Sequence, residues 1–278
     1  MPPYDEISIR LPDGYAAYAR YWAPPRAVGS VLYLHGIQSH CGWYEASAER
    51  LRQAGLAVLQ PDRRGSGRNS RQRGHAESPR QLIDDAFACM EELGRRTGDP
   101  RTHVLGVSWG GKLAAAMHAT CPWRIRSLSL ITPGLFPVVD VSAVDKLRIG
   151  WAMISEPHRL FDIPLNDPEL FTAAPNWIEW LRRDELQLHQ ATAGFFLASR
   201  RMDRTAHKLA SAPAVPLHVF LAEDERIIDN DRTHQFLRQF DWPRVRILTY
   251  EHARHTLEFE EHRDRYFDDL VEMLLEIT

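Results

Sequence analysis

The most constraining feature of this chain is the hexapeptide Gly106-Val107-Ser108-Trp109-Gly110-Gly111. An apolar run over 101–105 precedes it and a helix-like stretch over 110–119 follows it. G-x-S-x-G is only moderately specific alone, but between a strand and a helix it describes a sharp turn. That turn strains the serine and lifts its hydroxyl above the edge of a sheet, and the flanking glycines let the two backbones pack closely. The serine also stands at a helix N-terminus, where N–H groups favour developing negative charge. Ser108 is therefore the candidate nucleophile. An idle serine in a Gly-rich turn is the plainer alternative.

Such a turn requires a sheet, and the rest of the chain supplies one. Short apolar runs closed by turn residues suit buried parallel strands. They occur at 31–34, 56–59, 101–105, 125–131, 217–222 and 245–250, with two further strand-like runs at 6–11 and 16–22. Helix-like stretches lie between them, at 43–54 before Gly55, at 78–95, at 110–119, at 230–239 and from about Arg263. In the second of these Ser78 is the expected N-cap and Pro79 the first helical residue. Alternation of this kind predicts an α/β fold, a mostly parallel central sheet with helices on both faces. The alternation stops between about Pro133 and Pro216. Val144, Leu147, Trp151 and Ile154 recur there at helical spacing, as do Leu188, Thr192, Phe195, Ser199 and Met202, and no clear strand is visible. The expected organisation is a core domain over 1–132 and 217–278 with a helical cap, or lid, inserted over 133–216.

Composition narrows the function classes. The 278 residues are 44% hydrophobic and 26% charged, enough for one large domain with a sizeable core. A net charge of -3 does not suit a nucleic-acid binder. Cys41, Cys89 and Cys121 are too few and odd in number for a disulfide framework, and they suit a reducing compartment. Asp5, Glu6, Arg10 and Asp13 leave no apolar leader, and no run approaches the roughly 18 apolar residues of a membrane span. A cytoplasmic location is expected. Transient contact with a membrane surface and the oligomeric state stay open.

A serine hydroxyl is a weak nucleophile without a base. In this arrangement the acid and then the histidine follow the serine along the chain. His255 is the candidate base, because it lies between the run ending at Tyr250 and the last helix; His252 is its competitor. The two are three residues apart, but no carboxylate or third histidine stands at metal spacing, so neither a metal nor a cofactor is expected. The acid should follow the run ending at Ala222, where Glu223, Asp224, Glu225 and Asp229 are candidates. The N–H of Trp109 and the N–H of Ile37, in the loop after His35-Gly36, are the expected oxyanion donors. His35 itself is expected to brace that loop.

These motifs together resemble the monoacylglycerol lipase and lysophospholipase branch of the α/β-hydrolases. Leu34 to His40 with Trp43-Tyr44 is similar to that branch's oxyanion loop, and Asp62 to Gly67 to its D-x-R-G-x-G segment. Arg226 to Asn230 resembles its acid loop, and His255 to Glu260 its G-H-x-L-x-x-E. The resemblance implies a serine hydrolase that cleaves a monoacylglycerol, a lysophospholipid or a similar small-molecule acyl ester through an acyl-enzyme, without a cofactor. Two positions depart from it. Arg254 stands where the family usually has Gly. In the acid loop the register puts Glu223 at the usual Gly and Glu225 at the usual Asp, so Glu225 is the implied acid, with Asp224 as the alternative if the loop is shifted. Among the cap aromatics, Trp177 and Phe195 are the expected substrate-binding residues, with Trp151, Phe161, Phe171, Trp180 and Phe196 as further lining. Two other functions fit the same residues: acyl transfer or perhydrolysis at the same triad, and ligand binding without catalysis.

Overall fold

The computed structural model describes residues 3–278. Its first half runs β1 (Asp5–Arg10), β2 (Ala16–Trp22), β3 (Gly29–Leu34), α1 (Glu45–Gln53), β4 (Leu56–Pro61), α2 (Pro79–Thr97), β5 (Thr102–Val107), α3 (Trp109–Thr120) and β6 (Ile125–Ile131). An insertion follows, with α4 (Ala143–Ser155), β7 (Leu160–Asp162), α5 (Pro175–Arg182), β8 (Gln190–Thr192) and α6 (Ala193–Ala206). The chain then closes with β9 (Leu217–Ala222), α7 (Asn230–Leu237), β10 (Val245–Tyr250) and α8 (Arg263–Leu275).

The central sheet has eight strands in the order β1-β2-β4-β3-β5-β6-β9-β10. Only β2 pairs antiparallel, with β1 and β4; from β4 to β10 every pair is parallel. Every residue of β3, β4, β5 and β9 is buried. Their sequences are correspondingly apolar runs without alternation, as strands covered on both faces must be. β10 lies at the edge, and most of its residues are partly or fully exposed. Helix ends follow the local chemistry. The Ser78 hydroxyl accepts from the Gln81 N–H at the start of α2, and Gly98 ends that helix in the left-handed region at φ 72°.

Between β6 and β9 the sequence led us to expect helices without a strand. Instead, β7 and β8 pair antiparallel, Phe161 opposite Ala191. Three residues per strand are too few to print a period of two on the sequence. The helical spacing of Val144, Leu147, Trp151 and Ile154 is realised in α4, but that face points outward, with Leu147 77% and Ile154 84% exposed. The packing of α4 against α6 falls to Ile149 and Ala152 on the other side. α6 in turn packs on α3, which brings the insertion over the start of that helix.

The β5–α3 turn tolerates no side chain at its first glycine. A Cβ on Gly106 would lie 2.3 Å from the Gly110 carbonyl oxygen, a backbone atom that cannot move without shifting α3. Gly106→Ala should therefore cost about 3 kcal/mol or more, measured as a drop in the urea midpoint. A stability within about 0.5 kcal/mol of the parent would show that the turn is looser than its packing implies.

Candidate active site

Ser108 sits between β5 and α3 with φ 53° and ψ −119°. A non-glycine residue in this region carries strain of about 1–3 kcal/mol, and persists only where its surroundings fix it. Here its N–H donates to the Ile131 carbonyl at 2.9 Å, and its own carbonyl accepts from the N–H groups of Gly111 at 2.9 Å and Gly134 at 2.8 Å. The loop after β3 comes up against it: a Cβ on Gly36 would lie 3.4 Å from the Ser108 Cβ. Among the described residues, no acceptor is paired with the N–H of Ile37 or of Trp109. Both belong to segments that touch Ser108.

The Gly36–Ile37 loop is held from beneath by Arg63. Its guanidinium donates to the Gly36 carbonyl at 3.1 Å and the Ile37 carbonyl at 2.9 Å, and lies over the rings of Trp109 (4.7 Å) and Phe195 (5.0 Å). Burial pushes Arg63 down to about 9, low for an arginine. His35 braces the same loop: its Nδ1 bonds the Gly36 carbonyl at 2.8 Å and its Nε2 accepts from the Arg63 N–H at 2.8 Å. That pairing requires the neutral Nδ1–H tautomer, and burial, with the Arg63 charge, holds the ring well below the usual histidine range.

Across the sheet edge, His255 Nδ1 lies 2.9 and 2.8 Å from the two carboxylate oxygens of Glu225, both side chains being 2% exposed. Burial raises the Glu225 carboxyl, but the His255 charge and hydrogen bond and the N–H groups of Ile227 and Arg226 outweigh it and hold it below the usual carboxylate range. His255 Nε2 is buried and, among the described residues, unpartnered. The end of β6 joins the histidine to the serine, since Ile131 accepts from Ser108 and the neighbouring Thr132 hydroxyl donates to the His255 carbonyl at 2.9 Å. Asp224 and Glu223 are exposed, and Glu223 accepts from the N–H of His252, whose side chain is 89% exposed. Arg254 uses its side chain to tie the histidine loop to the insertion, donating to the carbonyls of Glu169 and Thr172 at 2.7 and 3.1 Å.

A cavity of about 120 Å³ opens beside Ser108, lined in part by Ile37, Trp109, Lys112, Phe196 and Ser199. The two aromatics expected at the substrate lie elsewhere. Trp177 stacks on Phe259 at 4.4 Å, and Phe195 is 1% exposed, stacked on Trp109 at 5.4 Å. Both are packing residues that join the insertion to the core, while Phe196, one residue on, turns to the cavity. Trp151 is 69% exposed on α4. Lys112 and Ser199 were not anticipated. Lys112 is four residues after Ser108, one turn along the same helix face, and that spacing was available in the sequence. Donor atoms of His40, Cys41 and Asp62 lie within 4.8 Å of one another, but hydrogen bonds occupy them: Asp62 accepts from Cys41 and Arg68, and His40 from Gly42 while facing Asp184.

Glu258, three residues past His255, accepts from the Ser47 N–H in the first turn of α1 at 2.9 Å. Burial raises its carboxyl to about 7. The folded state thus holds a proton that the unfolded chain releases, so this group's stabilisation is complete below the ordinary carboxylate range and is lost as pH rises through about 7. Glu258→Gln should remove that slope. Relative to the parent, its urea stability should improve by roughly 2–3 kcal/mol between pH 5 and pH 8. A parent–variant difference that does not change with pH would show that Glu258 is ionised throughout.

With this geometry in place, likeness to known proteins can be weighed. Residues 25–262 match the family described as "Serine aminopeptidase, S33". A phospholipase of Bacillus subtilis, YtpA, is 28% identical over 75% of this chain and 80% of its own. A monoacylglycerol lipase of Mycolicibacterium smegmatis is 27% identical over 91% of each. The crystal structure of Paleococcus ferrophilus monoacylglycerol lipase superposes with a TM-score of 0.85 at 20% identity, covering 94% of this chain and 99% of that one. A strained serine between strand and helix, a buried His–Glu pair joined to it through the end of β6 and a family match across most of the chain agree: this protein belongs to the S33 serine aminopeptidase family, on the α/β-hydrolase fold.

Proposed function

We propose that this enzyme hydrolyses carboxylic esters through an acyl-enzyme formed on Ser108, with His255 as base and Glu225 as its acid partner. The observation that carries this reading is the orientation of His255. Its Nδ1 faces both oxygens of a depressed-pKa carboxylate, which fixes the proton on that nitrogen and leaves the Nε2 lone pair, unpartnered among the described residues, to serve as base. In the first step Nε2 takes the Ser108 proton as Oγ attacks the ester carbonyl. The carbonyl oxygen becomes negative where the N–H groups of Ile37 and Trp109 are unengaged, at the start of α3. The imidazolium, stabilised by Glu225, then protonates the leaving alcohol. A water deprotonated by the same Nε2 releases the acid. The route calls for no metal or cofactor.

The names of the relatives, a phospholipase and a monoacylglycerol lipase, favour a lipid acyl ester, and within that class we propose a monoacylglycerol, a lysophospholipid or a similar small acyl ester. The family's description names an aminopeptidase, which would have to bind a substrate ammonium. The cavity favours an acyl group instead, since it presents Lys112 and mainly apolar side chains, and its one carboxylate, Asp140, is paired with Lys146. We further infer that residues 133–216 form a cap that shapes this cavity, through Ile163, Leu165 and Phe196. Among the described residues no helix is long and apolar enough to cross a membrane. The three free cysteines fit a reducing compartment, so we place the enzyme in the cytoplasm.

Ser108→Ala should lower p-nitrophenyl butyrate hydrolysis by on the order of 10⁴ to 10⁶ and abolish fluorophosphonate labelling, with an unchanged urea midpoint. Near-parental hydrolysis by this variant would overturn the assignment. The acid is tested by two isosteric changes compared in kcat. Glu225→Gln should lose on the order of 10² to 10⁴. Asp224→Asn, a change to an exposed carboxylate without contact to the imidazole, should lose less than about tenfold. The reverse ranking would make Asp224 the partner of His255.

A further inference from the structure

We propose that the cavity beside Ser108 holds a second recognition element, Lys112 with Ser199, that selects substrates whose acyl group carries a neutral oxygen acceptor a few bonds from the scissile carbonyl. This rests on the ester-hydrolase reading above and adds to it a substrate class.

The remaining wall of the cavity is mainly apolar, with Ile163, Leu165, Phe196, Ile227 and Ile228 among its residues, and its one carboxylate, Asp140, is already engaged by Lys146 and the Val141 N–H. A plain alkyl chain would ask for no more than that. Yet Lys112 and Ser199 also line it, and both are buried, at 6% and 8% exposure. Burying an ammonium is costly, and one turn of α3 beyond the nucleophile is an expensive place to keep one without a use. Its counter-ion is Asp203 on α6, 2.6 Å away, and Asp203 is not among the lining residues. Lys112 is therefore the member of the pair that reaches the cavity wall, and Asp203 lies behind it.

Ser199 points to the same polarity. Its Oγ accepts from the Trp109 indole N–H at 2.9 Å and, at a longer 3.4 Å, from Lys112 Nζ. With both acceptor directions in use, its own O–H is the remaining valence, and among the described residues no acceptor takes it. Lys112 Nζ likewise has three donors and only two such contacts. Two donors without acceptors thus face one volume, and what complements them is an oxygen lone pair. Asp203 already neutralises Lys112, so a carboxylate on the substrate would put a second anion beside one cation in a buried place. A ketone or hydroxyl oxygen satisfies the donors without that penalty. Lys112 lies one helical turn, about 5.4 Å, beyond Ser108; counted from Ser108 Oγ, four bonds of an extended acyl group cover a similar length, so the test acceptor is placed on the fourth carbon.

The test compares p-nitrophenyl 4-oxopentanoate with p-nitrophenyl pentanoate, each rate divided by that ester's uncatalysed hydrolysis. The parent enzyme should favour the oxo ester by about tenfold in kcat/KM, the size of one hydrogen bond from a charged donor. In Ser199→Ala and in Lys112→Met that ratio should fall to about 1. Ser199→Ala leaves the Lys112–Asp203 pair in place, and it decides the matter if Lys112→Met fails to fold. A parental ratio near 1, or a preference that survives in Ser199→Ala, overturns the proposal. So does a p-nitrophenyl hydrogen glutarate turned over faster than the oxo ester, which would make the site one for anions. If the parent hydrolyses none of these esters, the ester-hydrolase reading itself falls and takes this inference with it.

Discussion

The backbone of Ser108 is the constraint around which the rest of the molecule is arranged. With φ at 53° it sits where a side-chain-bearing residue does not stay unaided. Four hydrogen bonds to its own N–H and carbonyl, from Ile131 at the end of β6, Gly134 just beyond it, and Gly111 and Lys112 at the start of α3, hold it there. The same bonds determine what lies around the hydroxyl. Gly134, which donates to Ser108, opens the insertion, and Ile131, which accepts from it, is one residue from the threonine that anchors the His255 carbonyl. Moving Ser108 to a relaxed conformation would break the joins among the nucleophile turn, the histidine loop and the insertion at once. This is why the strain can be kept: the surrounding structure over-determines it.

The polar parts of the site share one design, buried ionisable groups whose charge state is set by hydrogen bonds. Glu225 stays ionised because an imidazole and two N–H groups meet its oxygens. His35 stays neutral because burial and the adjacent Arg63 charge disfavour the imidazolium, and its tautomer then serves the loop. Arg63 is buried against two aromatic faces, and its hydrogen bonds go to the loop carbonyls on either side of the Ile37 N–H. Each group would be expensive without its partners, so the loops they hold are rigid by consequence.

The insertion is fastened to the core by polar contacts as well as apolar packing, and still leaves apolar surface outside. Asp184 faces His40 Nε2 and accepts from the Trp43 indole at 2.7 Å, while Leu188 and Gln187 bond the main chain and side chain of Gln38. These contacts reach the stretch that follows Ile37 in sequence. The outward stripe of α4 takes no part in this packing. Substrate contact and core contact therefore fall to different faces of the inserted segment, with Phe196 on the first and Trp177 and Phe195 on the second.

What the sequence determined by itself was whatever a short segment encodes. Apolar runs without alternation named the buried strands, and Ser78-Pro79 marked the start of α2. Glycines around Ser108 announced a turn, because close backbone approach leaves no alternative residue. For the acid loop the resemblance implied Glu225, with Asp224 as the alternative, and the carboxylate facing His255 is that of Glu225. Tertiary structure alone decided which face of a helix meets what. The period of α4 was visible, but a period carries no direction, and its apolar stripe faces out. Phe195 and Phe196 are identical in type and adjacent, and only the angle at which α6 crosses α3 sends one to the core and the other to the cavity. The burial that gives Arg63, Lys112 and Ser199 their consequence comes from segments far away in the chain, which no local pattern encodes.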